Sequence, residues 1–448
     1  MFGIVQMHYH SSVTLTSQQQ GRMLTQRLFP VAFVLLALGV LPQVAPAAEN
    51  IPEGANGLAP DSHFDTTEQA DSRSASDYQM HIESLEGEYG PYHTQLSEHL
   101  VGLGIAQQNN GDHESAVDTF SRAMHVNRIN SGLYNLSQVP ILERLIESHI
   151  AQGQWEDASN SHEYLYWLHR RNFGENDPRM LPAIEKMSKW HLQAYSLNVG
   201  SGLFHHLINA HNLYSLAVKI IDHFDGDNES HEERLINALR GITVSNYYLA
   251  TFQASSLSRS SQQMIGEKPT QDDQIRLEQY IMNSYSSGKK AIKRIHDVYA
   301  SNPDAYPTGA MEAQVELADW HLLFNRWHTA MDMYQQAYDN LAQNPETEAK
   351  AKELFSKPVA LPDMPLLNTK VDNSNLNNEF VLVNFDVSAN GRARNIEIVE
   401  SNPPENVRNR SKVRKSLKYA KFRPRFEGGV PVITQNLTHR YVFPPKGH

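Results

Sequence analysis

Twenty-two histidines are the side chains of this chain best suited to hold a metal or move protons, and their spacing supports neither use. A helical zinc site needs two histidines one turn apart with an acid nearby, yet no His-Glu-x-x-His occurs. His205 and His206 are adjacent and would point apart on a helix, and His162-Glu163 has no partner at zinc-site spacing. Solvated helix faces are the better reading. The run Asp222, Asp225, Asp227, Glu229 suggests calcium, but Ser230 stands where the loop needs glycine and Ile236 where it needs a bidentate glutamate. Gly200-Ser201-Gly202 is not a nucleophile elbow, and no glycine-rich phosphate loop is present. With no cysteine, thiol chemistry, disulfides and a lipidated N-terminus are excluded. The sequence therefore predicts no enzyme, no cofactor and no metal site.

What remains is the chemistry of backbone hydrogen bonding. From Phe380, Val381, Val383, Phe385 and Val387 alternate onto one face, the period of a half-buried strand, and Asn390-Gly391 supplies a hairpin turn. A second strand runs through Ile396 and Ile398 and stops at Asn402-Pro403-Pro404. Val407 to Tyr419 reads as a basic helix, and after Gly428-Gly429 the stretch from Val430 to Phe443 reads as a last strand. No later segment covers that strand, so its edge is the expected working surface, made of Val432, Ile433, Thr434, Gln435, Asn436, Leu437, Thr438, His439 and Arg440.

Asn390-Gly391, Asn395 to Val399, Lys415 to Leu417, Tyr419-Ala420-Lys421-Phe422-Arg423-Pro424, Gly429-Val430-Pro431-Val432 and Arg440-Tyr441-Val442-Phe443 together resemble the C-terminal domain of TonB-type energy transducers. The resemblance covers roughly residues 377 to 444. It implies a small β-β-α-β domain in the periplasm of Gram-negative bacteria that pairs with an extended segment of an outer-membrane transporter. By the same resemblance, force would come from an inner-membrane motor complex.

Ahead of this domain the pattern is helical and repeats. Leu103, Gly111, Ala116 and Phe120 recur 42 residues later as Leu145, Gly153, Ala158 and His162. Leu317, His321, Trp327 and Ala330 match Leu145, His149, Trp155 and Ala158 at a distance of 172. Glycine ends the first helix of each unit and a small alanine lets the second cross it closely. These units resemble tetratricopeptide repeats, so the fold class is mainly α, a helical solenoid followed by the small α+β domain. The small position holds Gly104 and Ala318 but also Ile146, and residues 180 to 300 show helical patterning without a clean repeat, with amphipathic segments at Leu235 to Leu249 and Ile275 to Tyr299. Trp155 and Trp327, early in their second helices, are candidates to line a groove or to pack between repeats.

Charge separates the halves. The net charge is −11, but residues 380 to 448 hold 13 Lys/Arg against 5 Asp/Glu, leaving 26 against 45 in the remainder. A basic domain suits nucleic acid, anionic lipid or an acidic partner; no nucleic-acid motif accompanies it, so nucleic acid is not expected. Arg27, the apolar run Leu28 to Leu41 and Ala45-Pro46-Ala47 have the form of a signal sequence, too short for a membrane span of about 20 residues. Residues 1–48 are thus read as that signal, with Met23 an alternative start; 49–92 as an acidic flexible arm; 93–358 as the helical domain; 359–376 as a linker; and 377–448 as the C-terminal domain. Cleavage near Ala47 gives a soluble periplasmic protein, and retention gives an inner-membrane anchor and the one membrane contact foreseen. The expected function is a periplasmic TonB-like protein that binds partner proteins in support of energy-coupled transport. The alternative is a scaffold or accessory with no force-transducing role, because no proline-rich spacer follows the apolar run.

Overall fold

The computed structural model describes residues 74–197, 199, 203–224, 229–256, 271–362 and 379–443. The expected signal sequence, the arm before Ser74 and most of the joint (363–376) lie outside the described residues. The helical body runs α1 (Ala75–Tyr89), α2 (Thr94–Asn109), α3 (His113–Ser131), α4 (Val139–Ala151), α5 (Trp155–Phe173), α6 (Leu181–Leu197), α7 (Leu203–His223), α8 (Glu229–Ser256), α9 (Gln271–Ser301), α10 (Gly309–Leu323), α11 (Trp327–Gln343) and α12 (Glu348–Phe355). Each packs chiefly on its neighbours in sequence, the arrangement of a helical repeat solenoid. No described helix is long and apolar enough to cross a membrane.

The repeat is visible in backbone geometry. Gly111, Gly153 and Asn325 all take positive φ at the turn inside their helix pairs (78°, 70° and 62°). Around each, the next N–H returns to a helix carbonyl in the same way, Asp112 to Gln107, Gln154 to His149 and Arg326 to His321 at 2.8 to 2.9 Å. Asparagine replaces glycine in the last unit because it too tolerates the left-handed conformation. Packing follows the small position: at Gly104 a methyl group would come within 2.4 Å of the Phe120 ring. Ala318 keeps the same place small beside Tyr334.

Two boundaries differ from expectation, and the middle region is helical without a clean repeat, as its pattern suggests. The arm expected over 49–92 contains α1, capped by Ser74, whose hydroxyl accepts the Asp77 N–H. Gly90, which follows it, belongs to the 42-residue series Gly90, Gly132, Gly174, each with positive φ and each donating to a carbonyl four residues back. α1 is therefore the second helix of an earlier unit, and Ile82 anchors it in the core of the first repeats. In the middle region, α8 and α9 run 28 and 31 residues, well beyond repeat length, and carry the Leu235 to Leu249 and Ile275 to Tyr299 segments. At the joint, expected as a linker from 359, Val359–Leu361 forms strand β1.

The C-terminal region continues with β2 (Glu379–Val387), β3 (Ala393–Asn402), α13 (Val407–Tyr419), β4 (Lys421–Arg423), β5 (Arg425–Glu427), β6 (Val430–Val432) and β7 (Thr434–Phe443). β3, β2 and β7 form an antiparallel sheet in that order, β1 pairs with β4, and β5 pairs with β6. Val381, Val383, Phe385 and Val387 are buried, and Val413 and Leu417 of α13, which packs on β2 and β3, close over that face. The small strand pairs dock on the end of the helical body. Phe426 of β5 and Leu361 of β1 share one core with Tyr334, Ala337 and Phe355.

Candidate interaction edge

β2 is the centre of the sheet because its alternating apolar residues fill the core on one side. Its two ladders are taken by β3 and β7, so the far side of β7 meets no further strand among the described residues. In register, Leu437, His439 and Tyr441 stand opposite Phe385, Val383 and Val381 on the α13 side, and Thr438 and Arg440 stand opposite Asn384 and Leu382 on the other.

The expected edge of Val432 to Arg440 is not one strand. Val432 belongs to β6 and pairs with Arg425, and Ile433 is an exposed link between β6 and β7. Pro431 and the Gly428-Gly429 turn close a separate hairpin, which period-two reasoning merges with the strand that follows. Thr434 pairs with Val387, but Gln435 and Asn436 bulge, and the register shifts between Phe385 and Val387. Asn436 takes φ of 56°, and its N–H donates to Asp386 Oδ1 at 2.9 Å. The same carboxylate accepts from Asn395 Nδ2 at 2.6 Å, so one aspartate pins bulges in both flanking strands. These hydrogen bonds, the Asn436 one foremost, hold the Asp386 carboxyl below its usual range.

The uninterrupted ladder is Leu437 to Phe443. Along it, Thr438 and Arg440 are exposed and Leu437 and His439 half-buried. The Arg440 guanidinium lies 3.9 Å over the Phe380 ring, a cation–π contact that stiffens the open face. His439 packs edge-on to Tyr441, and burial lowers its pKa. An edge of this kind offers main-chain donors and acceptors to an extended peptide, with Leu437 and His439 sorting its side chains on one face and Thr438 and Arg440 on the other.

The tryptophans sit at equivalent places, each packed against a core cluster. Trp155 opens α5 half-buried against Met187, Trp190 and Ala194 of the next unit, and Trp327 opens α11 against the core shared with Phe355. Exposed aromatics lie elsewhere. Tyr134 meets Trp167 edge-on at 5.5 Å with Arg171 over its ring, and Tyr92 meets His125 in the same manner 42 residues earlier. The repeat register carried that signal, and sequence reasoning passed over it. Several histidines prove to be packed inside. His162 stacks on Trp190, His191 faces His206 Nδ1 to Nδ1 at 3.0 Å, and His321 meets the Tyr285 hydroxyl. Burial draws His162 and His321 down to about 4 and His191 to about 3.

No protein-family model matches the chain, and no curated protein matches it. Among solved structures, the TPR-like repeats of a putative kinesin light chain from Podosopora anserina are similar at 12% identity and a TM-score of 0.37, over 56% of this chain and 97% of that one. A circular tandem repeat protein aligns at 12% identity and 0.28, over 62% and 68%. The assembly chaperone of RpL4 (residues 1–338) aligns at 12% identity and 0.18, over 63% and 95%. At these scores the likenesses carry no weight for function, and the repeat stands on its 42-residue geometry.

Proposed function

We propose that this chain is a protein-binding scaffold whose sheet captures an extended segment of a partner beside β7. The observation that carries this reading is the strand order β3-β2-β7, which among the described residues leaves the regular ladder of Leu437 to Phe443 unpaired on one side. The resemblance of residues 377 to 444 to TonB-type C-terminal domains names the partner: the N-terminal segment of an outer-membrane transporter, met in the periplasm. Within that reading the chain acts as an accessory or as a transducer driven by an inner-membrane motor. The core that β1 and β5 share with the body favours the accessory, because strands docked on the solenoid end are not carried on an extended spacer.

Adjacent residues of an antiparallel edge direct their N–H groups to opposite sides, so of Thr438 and His439 one donates outward. Transporter-derived peptides are titrated against Thr438→Pro and His439→Pro, each with its alanine control, with circular dichroism as the check on folding. One proline variant should stay folded and lose capture while its alanine counterpart binds. If both proline variants fold and bind like wild type, strand addition at β7 is wrong.

A further inference from the structure

Helix α13 holds six basic residues and no acidic one. Its inner face is Asn409, Val413 and Leu417; Arg408, Arg414, Lys415 and Lys418 are exposed on the outside. This composition works against the helix. Arg410 with Arg414 and Arg414 with Lys418 are like charges one turn apart, and Arg408 and Arg410 stand in the first turn, at the positive end of the helix dipole.

Four of these cations, Arg408, Arg414, Lys415 and Lys418, form no ion pair among the described residues, although carboxylates are near in sequence. Glu397 and Glu400 of β3 pair with Asn384 and Leu382, on the sheet face turned away from α13. Glu379 accepts from Asn406 and Asn409 at 2.7 Å each. Glu405 precedes the helix and stands, with Glu379, near its start. At the two ends of the ridge, Val407 and Tyr419 are 71% and 65% exposed.

We propose that the outer face of α13 docks on an anionic phospholipid bilayer. The bases lie along one straight helix about 20 Å long, a ridge that meets a plane of headgroups along its length. Tyr419 and Val407 add the aromatic and apolar contacts that suit the interfacial layer at either end. α13 packs over β3 and β2, so a sheet held this way keeps the outer ladder of β7 free for a peptide. Membrane contact then needs no retained N-terminal segment.

The full chain is mixed with vesicles of phosphatidylcholine containing about a third phosphatidylglycerol, and with phosphatidylcholine alone, at low and high salt. Wild type should partition to the anionic vesicles in a salt-sensitive way, and the Arg414→Gln/Lys415→Gln/Lys418→Gln variant should bind on the order of a hundredfold more weakly. Both proteins carry Leu28 to Leu41, so the difference between them, not binding itself, is the readout. A second measurement uses wild type only: acylation of Lys415 and Lys418, read by mass spectrometry, should be suppressed by anionic vesicles and unaffected by neutral ones. Equal partitioning of a folded triple variant, or acylation untouched by anionic vesicles, overturns the proposal. So does stronger protection by polyglutamate or an oligonucleotide than by vesicles, which would make the partner an acidic polymer.

Discussion

Arg423 of β4 and Asp319 of α10 form a two-pronged ion pair, Nε to Oδ1 at 3.0 Å and Nη2 to Oδ2 at 2.6 Å, with both side chains buried. The remaining valences are filled: Tyr334 Oη donates to Asp319 Oδ1, and Arg423 Nη1 donates to the Leu354 carbonyl. Lys421, two residues earlier, donates to the Leu323 carbonyl, and burial, with Arg392 nearby, pulls its pKa down to about 8. The C-terminal strands are thus wired to the last helices of the solenoid as well as packed on them.

Removing one member of such a pair strands a buried charge, whereas removing both does not. Asp319→Ala should cost about 3–5 kcal/mol in urea unfolding, since Arg423 would keep its charge without a counterion. The triple change Asp319→Leu/Arg423→Met/Tyr334→Phe, which also removes the orphaned hydroxyl, should recover most of that loss. A triple variant as unstable as the single one would show that the pair contributes more than it costs to desolvate.

Gly391 ties the first hairpin to β4. It sits at φ of 69°, its carbonyl accepts the Phe422 N–H at 2.9 Å, and a methyl group there would come within 2.0 Å of the Phe422 oxygen. Gly391→Ala meets both a left-handed backbone, costing about 1–2 kcal/mol, and a backbone clash that a flexible side chain cannot relieve. Gly428, also at positive φ but with open space around it, is the control. Gly391→Ala should lower the urea midpoint clearly more than Gly428→Ala.

Local signals were legible in the sequence and distant ones were not. The alternation from Val381 to Val387 and the span Val407 to Tyr419 coincide with β2 and α13, because each depends on a period that neighbouring residues state for themselves. The 42-residue register holds because Gly111 and Gly153 must turn the chain locally. α1 was missed because its apolar face is thin: Ile82 alone is fully buried in a segment rich in polar side chains. β1 is three residues long and exists only because β4, about 60 residues on, pairs with it. The Arg423–Asp319 contact spans 104 residues and leaves no periodic trace.

The shared core predicts that damage in the C-terminal strands reaches the helices. Phe426 lies 5.0 Å from Phe355 and 5.9 Å from Tyr334, ring centre to ring centre, in a cluster built mostly from α10, α11 and α12. Phe426→Ala should cost about 3–5 kcal/mol and shift the helical circular dichroism transition together with the sheet signal. A helical transition left at the wild-type midpoint would mean that the two parts unfold separately.

His162 offers a test of pH dependence. Its ring stacks on Trp190 at 4.8 Å, and its Nδ1 is buried without a partner. Burial, with Lys186 adding repulsion, lowers its pKa from 6.5 to about 4, so the folded chain holds the ring neutral where the unfolded chain protonates it. About one pH unit above 6.5 both states are neutral and the site has no pH slope. As pH falls from 6.5 towards 4 the unfolded state binds the extra proton, and stability should drop, by about 1–3 kcal/mol at this site across the window. His162→Phe keeps a flat ring against Trp190 and removes the titration. Urea midpoints measured from pH 7 to pH 4 should fall less steeply for His162→Phe than for wild type, with the two proteins closest in slope above pH 6.5. Parallel profiles through the whole range would show that the imidazole is protonated within the fold at no cost, and that its burial against Trp190 does not hold it neutral.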